Sequence, residues 1–164
     1  MDLGTYAARM AQYNQWMNRK TYEAAGKLSD EQRKRDLNAF FKSLHDTLDH
    51  VLWADRAFLK RLASLDLRVG KRGVRLFEDF ADMRAERERM DQACIEWAAS
   101  FDASVADTQV PFLGDNLIAM SDVVVHMFNH QIHHRGQATT LLVQLGQDPG
   151  TTDLPYMLLE QASS

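Results

Sequence analysis

No proline occurs in the first 110 residues of this 164-residue chain, and the three that do occur are Pro111, Pro149 and Pro155. Proline breaks a helix because it lacks a backbone N–H and its ring clashes with the preceding turn. In four long segments, apolar residues recur three or four positions apart: residues 3–28, 37–65, 76–101 and 121–145. The sequence therefore predicts an all-α fold, a four-helix bundle with a short extra C-terminal helix that starts near Pro155.

Residue types that favour helix ends mark the limits of these segments. Ser29 and the acidic residues after it predict that the first helix stops and a new helix starts there. Ser121 is the expected N-cap of the fourth helix, and Gly146 is its expected end. Residues 102–115 are predicted to form a connection, with a short extended piece at residues 108–113. Short connections are typical of helices that pack as neighbours in a bundle.

Composition limits the classes of partner that the chain can have. With 45% hydrophobic residues, its length fits one domain that covers residues 1–164. A formal charge of −4 does not argue for a nucleic-acid partner, and the local basic cluster of Arg68, Lys71, Arg72 and Arg75 is expected to be a solvated loop. No segment has the length and apolarity of a membrane span. The single cysteine, Cys94, excludes a secreted domain stapled by disulfides. We therefore expect a cytoplasmic protein that binds neither nucleic acid nor a membrane.

Four of the six histidines are clustered in the fourth predicted helix: His126, His130, His133 and His134. Residues four apart lie on nearly the same face of a helix, so two imidazoles at this spacing can bind one metal ion. The other two histidines, His45 and His50, lie close together in the second predicted helix. This pattern indicates that two helices supply ligands to one metal site.

The geometry of the fourth helix limits which of its histidines can act together. About 12 Å along the helix axis separates His126 from His134, so these two cannot share a metal. A helical wheel places His130 and His134 at the border of the apolar arc, whereas His126 and His133 point toward the polar side. The wheel therefore favours His130 and His134 as ligands, with the other two as outer or surface groups.

The third ligand must come from the second helix, where the wheel does not decide between two histidines. His45 lies on one flank of the apolar face and His50 on the other, among small side chains that leave room for a metal. The small neighbours are a mild argument for His50. The chain has neither the His-Glu-x-x-His sequence of zincins nor the Glu-x-x-His sequence of di-iron bundles. A helical module whose histidines bind nothing remains open at this point.

Four other side chains invite a functional interpretation. Arg135 falls within the apolar arc of the fourth helix, and a cation there needs a carboxylate, a carbonyl or a subunit interface as its partner. We therefore predict a buried or interfacial pairing for Arg135 rather than a catalytic role. Trp16 and Trp53 are expected either at the mouth of a pocket or in the core. Cys94 is expected to be a buried, unreactive thiol.

Three motifs resemble those of one known family. They are residues 13–18 (Tyr-Asn-Gln-Trp-Met-Asn), residues 40–50 with 54–56 in the second helix, and residues 129–137 (Asn-His-Gln-Ile-His-His-Arg-Gly-Gln). Together they resemble the DinB family of DNA-damage-inducible proteins over nearly the whole chain. Two positions depart from the family pattern: Asp49 stands where the family often has Asn, and Phe58 where it often has Trp. We expect neither to abolish a metal site.

The resemblance implies a bundle with up-down-down-up order and a divalent metal ion, Zn, Ni or Fe, held by His50, His130 and His134. Three imidazoles leave an open position on the metal, as in catalytic rather than structural zinc sites. The implied function is that of a metal-dependent enzyme, either a thiol-dependent S-transferase or a hydrolase. The implied partners are a small-molecule substrate, such as a low-molecular-weight thiol, and a second copy in a homodimer. A metal-binding stress-response protein without catalysis is the alternative.

Overall fold

The computed structural model describes residues 1–112 and 114–163, which form six α-helices and one two-stranded ribbon. The four long helices are α1 (Leu3–Gly26), α3 (Leu44–Leu62), α4 (Phe80–Ala99) and α5 (Met120–Gln144). The two short helices are α2 (Asp30–Lys34) and α6 (Leu154–Ala162). The ribbon pairs β1 (Gln109–Pro111) antiparallel with β2 (Leu117–Ala119). The predicted all-α class and the extra C-terminal helix are confirmed. Leu113, the last residue of the predicted extended piece, lies outside the described residues.

The second predicted helix, residues 37–65, begins later than expected. Ser29 does start a new helix, since its side chain and that of Gln32 form a capping box, but this is the short α2. Asn38 and Lys42 then adopt positive φ angles of 57° and 69°, a conformation that a right-handed helix cannot include. Ser43 caps α3 by accepting a hydrogen bond from a backbone N–H of the first turn. Residues 37–43, which the apolar pattern assigns to the second helix, therefore lie outside α3.

The limits of the last long helix are partly as predicted. Ser121 is not the N-cap, because α5 begins at Met120 directly after β2 and its cap residue is Ala119. The backbone N–H of Ser121 instead donates to the carbonyl of Ala106, which anchors the helix start to the preceding loop. Gly146 follows the last turn with a φ of 77°, as expected for a glycine that ends a helix.

The four long helices run up, down, down and up, as the resemblance implies. The starts of α3 and α4 lie side by side, since His45 Nε2 donates to the Phe77 carbonyl at 2.8 Å just before α4. These two helices are therefore parallel. Contacts across the bundle show that α1 and α5 run the opposite way: Tyr6 with Phe128, Asn14 with Arg135, Asn18 with Asp91, and Phe58 with His126. None of the helices in the described part of the chain is both long and apolar enough to cross a membrane.

A buried polar network occupies the centre of this bundle. Arg87 of α4 is 2% exposed and pairs with Asp55 of α3 and with Asp91 one turn along its own helix. Asp55 also accepts a hydrogen bond from Gln131 Nε2 of α5 at 2.6 Å, and Asp91 accepts one from Asn18 of α1 at 2.8 Å. All four long helices therefore contribute to one set of buried ionic contacts.

Two further predictions about buried side chains are confirmed. Arg135 is 4% exposed, and its guanidinium donates to the side-chain oxygen of Asn14 and lies 5.5 Å from the centre of the Tyr13 ring. Cys94 is buried in the apolar core, and desolvation raises the pKa of its thiol. Neither side chain therefore offers a reactive group at the surface.

Replacing Arg87 with Ala should lower the free energy of unfolding by about 3–5 kcal/mol, because it leaves two buried carboxylates without a cation. Urea denaturation at pH 7 measures this cost. The matched control is Arg84→Ala on the same helix, which removes an exposed pair with Glu88 at 3.1 Å and should cost less than about 1 kcal/mol. Equal costs for the two variants would contradict a structural role for the buried network.

Candidate metal centre

Three histidines from two helices meet at one point of the bundle. His50 lies on α3, and His130 and His134 lie one turn apart on α5. One ring nitrogen of each lies within 4.8 Å of a ring nitrogen of both others. The Nε2 atoms of His50 and His130 are 3.2 Å apart. The structure thus brings together the three residues that the sequence analysis named.

The helical backbone explains how the ring nitrogens reach one another. The spacing of four places His130 and His134 on the same face of α5, with ring centres 4.4 Å apart. The bond between Gln131 and Asp55 ties α5 to α3 next to this face. Since Gln131 follows His130 directly, this buried hydrogen bond fixes the position of α5 against the helix that carries His50.

Aromatic rings enclose the group. The His50 ring is stacked with Phe41 at 4.1 Å and with Trp53 at 5.9 Å between ring centres. Phe41 also makes an edge contact with His134 at 5.3 Å. The three imidazoles are therefore half-buried in surroundings that are less polar than water, which disfavours their protonated form.

Burial has a clear effect on the protonation of the histidines. Burial first, and then the nearby His134 and Arg72, lower the pKa of His50 to about 4. Burial, with His134 and His50 as the next causes, lowers the pKa of His130 to about 4. Burial also lowers the pKa of His134. The imidazoles of His50 and His130 are therefore neutral at pH 7, and neutral imidazole is the form that binds metals.

Gln137 sets the tautomer of His134. Its Oε1 lies 2.8 Å from His134 Nδ1, so Nδ1 must carry the proton and Nε2 is left with its lone pair. The amide nitrogen of Gln137 in turn lies 3.2 Å from His133 Nε2, to which it donates. Gln137 is the last residue of the motif at residues 129–137, and its role was not predicted, although a position three residues after His134 places it on the same helical face.

His45 and Asp49 serve a different purpose, although both lie near His50 in the sequence. His45 is fully buried and bonds the Phe77 carbonyl. The Asp49 carboxylate accepts the backbone N–H groups of Leu76 and Phe77, each at 2.9 Å. Both side chains therefore hold the segment before α4, and His50 is the histidine of α3 that faces α5.

A cavity of about 460 Å³, here called the site cavity, opens beside the three histidines. Five aromatic side chains line it: Phe40, Phe41, Trp53, Phe58 and Phe112. His126 lies at its exposed edge, between the rings of Phe58 and Phe112. Trp53 is thus at a pocket, whereas Trp16 packs against α6 and donates to Glu160 at 2.7 Å. The cavity leaves space for a small molecule next to the ring nitrogens.

Comparison with known proteins places the chain in a family. The family model described as DinB family matches residues 2–162. The chain belongs to the DinB family. This DinB-family chain is 22% identical over 162 residues to Protein DinB of Bacillus subtilis strain 168, with 92% of each chain covered. Its fold is similar to the crystal structure of a DinB-like protein from Bacillus cereus ATCC 10987, with a TM-score of 0.65 and 20% identity. That match covers 82% of this chain and 89% of the other.

The three histidines of this DinB-family protein have the donor chemistry that a divalent ion requires. Two nitrogens bound to one tetrahedral zinc ion at 2.0–2.1 Å would be roughly 3.3 Å apart. The Nε2 atoms of His50 and His130 are separated by 3.2 Å. In the metal-free protein one Nε2–H can donate to the lone pair of the other ring, and a metal ion bound to both nitrogens would replace this hydrogen bond. The group could therefore bind a metal ion without a large rearrangement of the helices.

The metal-free protein should lose stability as the pH falls from about 6.5 to about 4. The folded His50 and His130 take up protons only near pH 4, whereas the unfolded chain takes them up near 6.5. The stability linked to these two groups is therefore fully present above pH 6.5 and is lost over this interval. Urea denaturation of the chelator-treated protein at several pH values measures the loss.

The double variant His50→Gln with His130→Gln tests whether these two histidines cause the loss of stability at low pH. It should show a shallower loss of stability than the natural sequence, because glutamine does not titrate. His133→Gln, which changes an exposed histidine of the same helix, should keep the slope of the natural protein. An unchanged slope in the double variant would show that other groups cause the pH dependence.

Proposed function

We propose that this protein binds one divalent metal ion through His50, His130 and His134 and acts as a metal-dependent enzyme. The observation that carries the proposal is the meeting of three ring nitrogens at the wall of the site cavity. Three protein ligands leave a coordination position open, which is the arrangement of catalytic sites. Imidazole ligands suit Zn, Ni and Fe, and these are the ions we propose.

The bound ion would supply a Lewis acid that favours the deprotonated form of a water or a thiol. The residues of the chain have separate tasks around it. Gln137 orients His134 through its Nδ1, Phe41 and Trp53 shield the histidines from solvent, and the site cavity receives the substrate.

The lining of the site cavity favours thiol transfer over hydrolysis. No Asp or Glu occurs among the lining residues in the described part of the chain, so no carboxylate is placed to deprotonate a water molecule. A thiol needs less help, since its pKa is far below that of water and metal binding alone deprotonates it. We therefore propose a thiol-dependent S-transferase, with a low-molecular-weight thiol and an electrophile as substrates. From the chain length and the single cysteine we further propose a single-domain cytoplasmic protein, and from the family resemblance a homodimer.

Metal analysis of protein purified without a histidine tag tests the site. We expect about one equivalent of metal per chain, and its loss in each of His50→Ala, His130→Ala and His134→Ala. The controls His126→Ala and His133→Ala should keep the metal, because neither belongs to the three-histidine group. At 100 times its dissociation constant the ion should stabilise the fold by about 2.7 kcal/mol. Protein that contains no metal and cannot be loaded would disprove the proposal.

Replacing Gln137 with Ala should weaken metal binding by about 10–100-fold, because His134 loses the partner that fixes its tautomer and ring orientation. Competition with a chromophoric chelator measures the affinity. Thr140→Ala is the matched control, since Thr140 lies on the same helix and bonds only the carbonyl of Gly136. An affinity that is the same in both variants would show that Gln137 does not orient the ligand.

An activity screen separates the proposed enzyme from a non-catalytic metal-binding protein. Metal-loaded protein is incubated with low-molecular-weight thiols and an alkylating electrophile, and the loss of free thiol is followed with a thiol reagent. We expect turnover that disappears in His130→Ala and in chelator-treated protein. Full metal occupancy without turnover for any thiol would favour the metal-binding stress-response alternative.

A further inference from the structure

The charges at the site cavity are not balanced. Its lining includes two arginines, Arg61 and Arg72, and no carboxylate among the residues that the structure describes. Arginines nearby but outside the cavity are paired with acids: Arg56 with Glu86, and Arg75 with Asp46. The described lining of the cavity therefore carries a net positive charge, which a bound divalent ion would increase.

Arg61 is held in place by groups that leave its charge uncompensated. Its guanidinium donates to the carbonyl of Pro111 at the end of β1 and lies 5.5 Å from the centre of the Phe112 ring. A carbonyl and an aromatic face attract a cation but carry no net negative charge. Arg61 is therefore oriented at the cavity with its full charge available.

Arg72 lies in the segment between α3 and α4 and is exposed. It forms no salt bridge with any residue in 1–112 or 114–163. It lines the same cavity as His50. Two cations from separate segments thus flank the cavity, and each lacks an acidic partner.

The remaining walls are apolar and flat. Trp53 donates its indole N–H to the Gly70 carbonyl at 2.8 Å, so the polar atom is satisfied and the ring faces the cavity. Phe58 and Phe112 also line the cavity, and their rings are in edge contact with His126. Ala57, with its small side chain, leaves space between these walls. Such walls accept a planar apolar body better than a polar or bulky one.

We propose that the site cavity selects a small organic anion with a planar apolar body, such as an aromatic carboxylate or sulfonate. Its acidic group lies toward Arg61 and Arg72, and its ring lies against the aromatic walls. That this anion is the electrophilic substrate of the metal site depends on the proposed function above. The selectivity of the cavity for such anions is independent of the proposed function, and it can be measured on metal-free protein.

Two probes with the same ring system test the selectivity: naphthalene-2-sulfonate, which is an anion, and 2-naphthylmethanol, which is neutral. Calorimetric titration of metal-free and metal-loaded protein at low salt gives both affinities. The sulfonate is a poor metal ligand, so any preference reports the cavity. We expect the sulfonate to bind about tenfold more tightly than the alcohol, because two partly exposed cations each add a modest attraction.

Arginine variants test which side chains cause the preference for the sulfonate over the alcohol. Arg61→Gln combined with Arg72→Gln should reduce the preference below about twofold, while the affinity for the alcohol stays the same. Unchanged alcohol binding also shows that the cavity remains folded. Arg72→Gln alone gives a partial loss without touching the bond to Pro111. Arg68→Gln removes an exposed charge from the same segment but outside the cavity, and it should leave the preference intact.

The inference fails if the alcohol binds as tightly as the sulfonate, if neither probe binds, or if Arg68→Gln has the same effect as the cavity variants. Metal analysis of the same samples separates this result from the fate of the metal site. Anion selectivity without metal uptake supports the cavity inference and contradicts the metal-dependent enzyme. Metal uptake without anion selectivity supports the metal site and contradicts the cavity inference.

Discussion

The bundle depends on the pairing of Arg87 with Asp55 and Asp91 in its interior. A guanidinium buried at the centre of a protein is tolerated only when acidic partners reach it with good geometry. That requirement fixes how α3 and α4 lie against each other, because Arg87 belongs to α4 and its partner Asp55 belongs to α3. Through the bond between Asp55 and Gln131 it also fixes α5, and His130 follows Gln131 directly. The geometry of the histidine group is thus a consequence of ion pairing in the core.

The site is divided between two kinds of structure. The ring nitrogens lie on α3 and α5, whose backbones are held by regular hydrogen bonds and by the polar network. Several walls of the site cavity come from connecting segments instead, among them Phe41 before α3, Arg72 before α4 and Phe112 after β1. Loops positioned by a rigid scaffold commonly provide the recognition surface of a protein. Here the scaffold provides the donor atoms and the loops shape the cavity.

Much of the fold and part of the site follow from local sequence patterns. His130 and His134 could be paired in advance because both lie on one helix, whose geometry is known before its neighbours are. The role of His45 could not be predicted, because it depends on the Phe77 carbonyl of a distant loop. The late start of α3 at Leu44 was missed, because Lys42, which has a positive φ, is not a residue type that signals a helix boundary. The cavity walls were missed for the same reason as His45, since they meet only after folding.

The ribbon of β1 and β2 supports one wall of the site cavity and is not part of the helical bundle. Among the described residues its strands pair only with each other, and Arg61 fastens it to α3 through the Pro111 carbonyl. Substitutions in the ribbon can therefore reshape the wall that includes Phe112 while the helices keep the spacing of the ring nitrogens. Under the proposed function, ligand choice and donor geometry would therefore be separate traits, and selection could alter one while conserving the other.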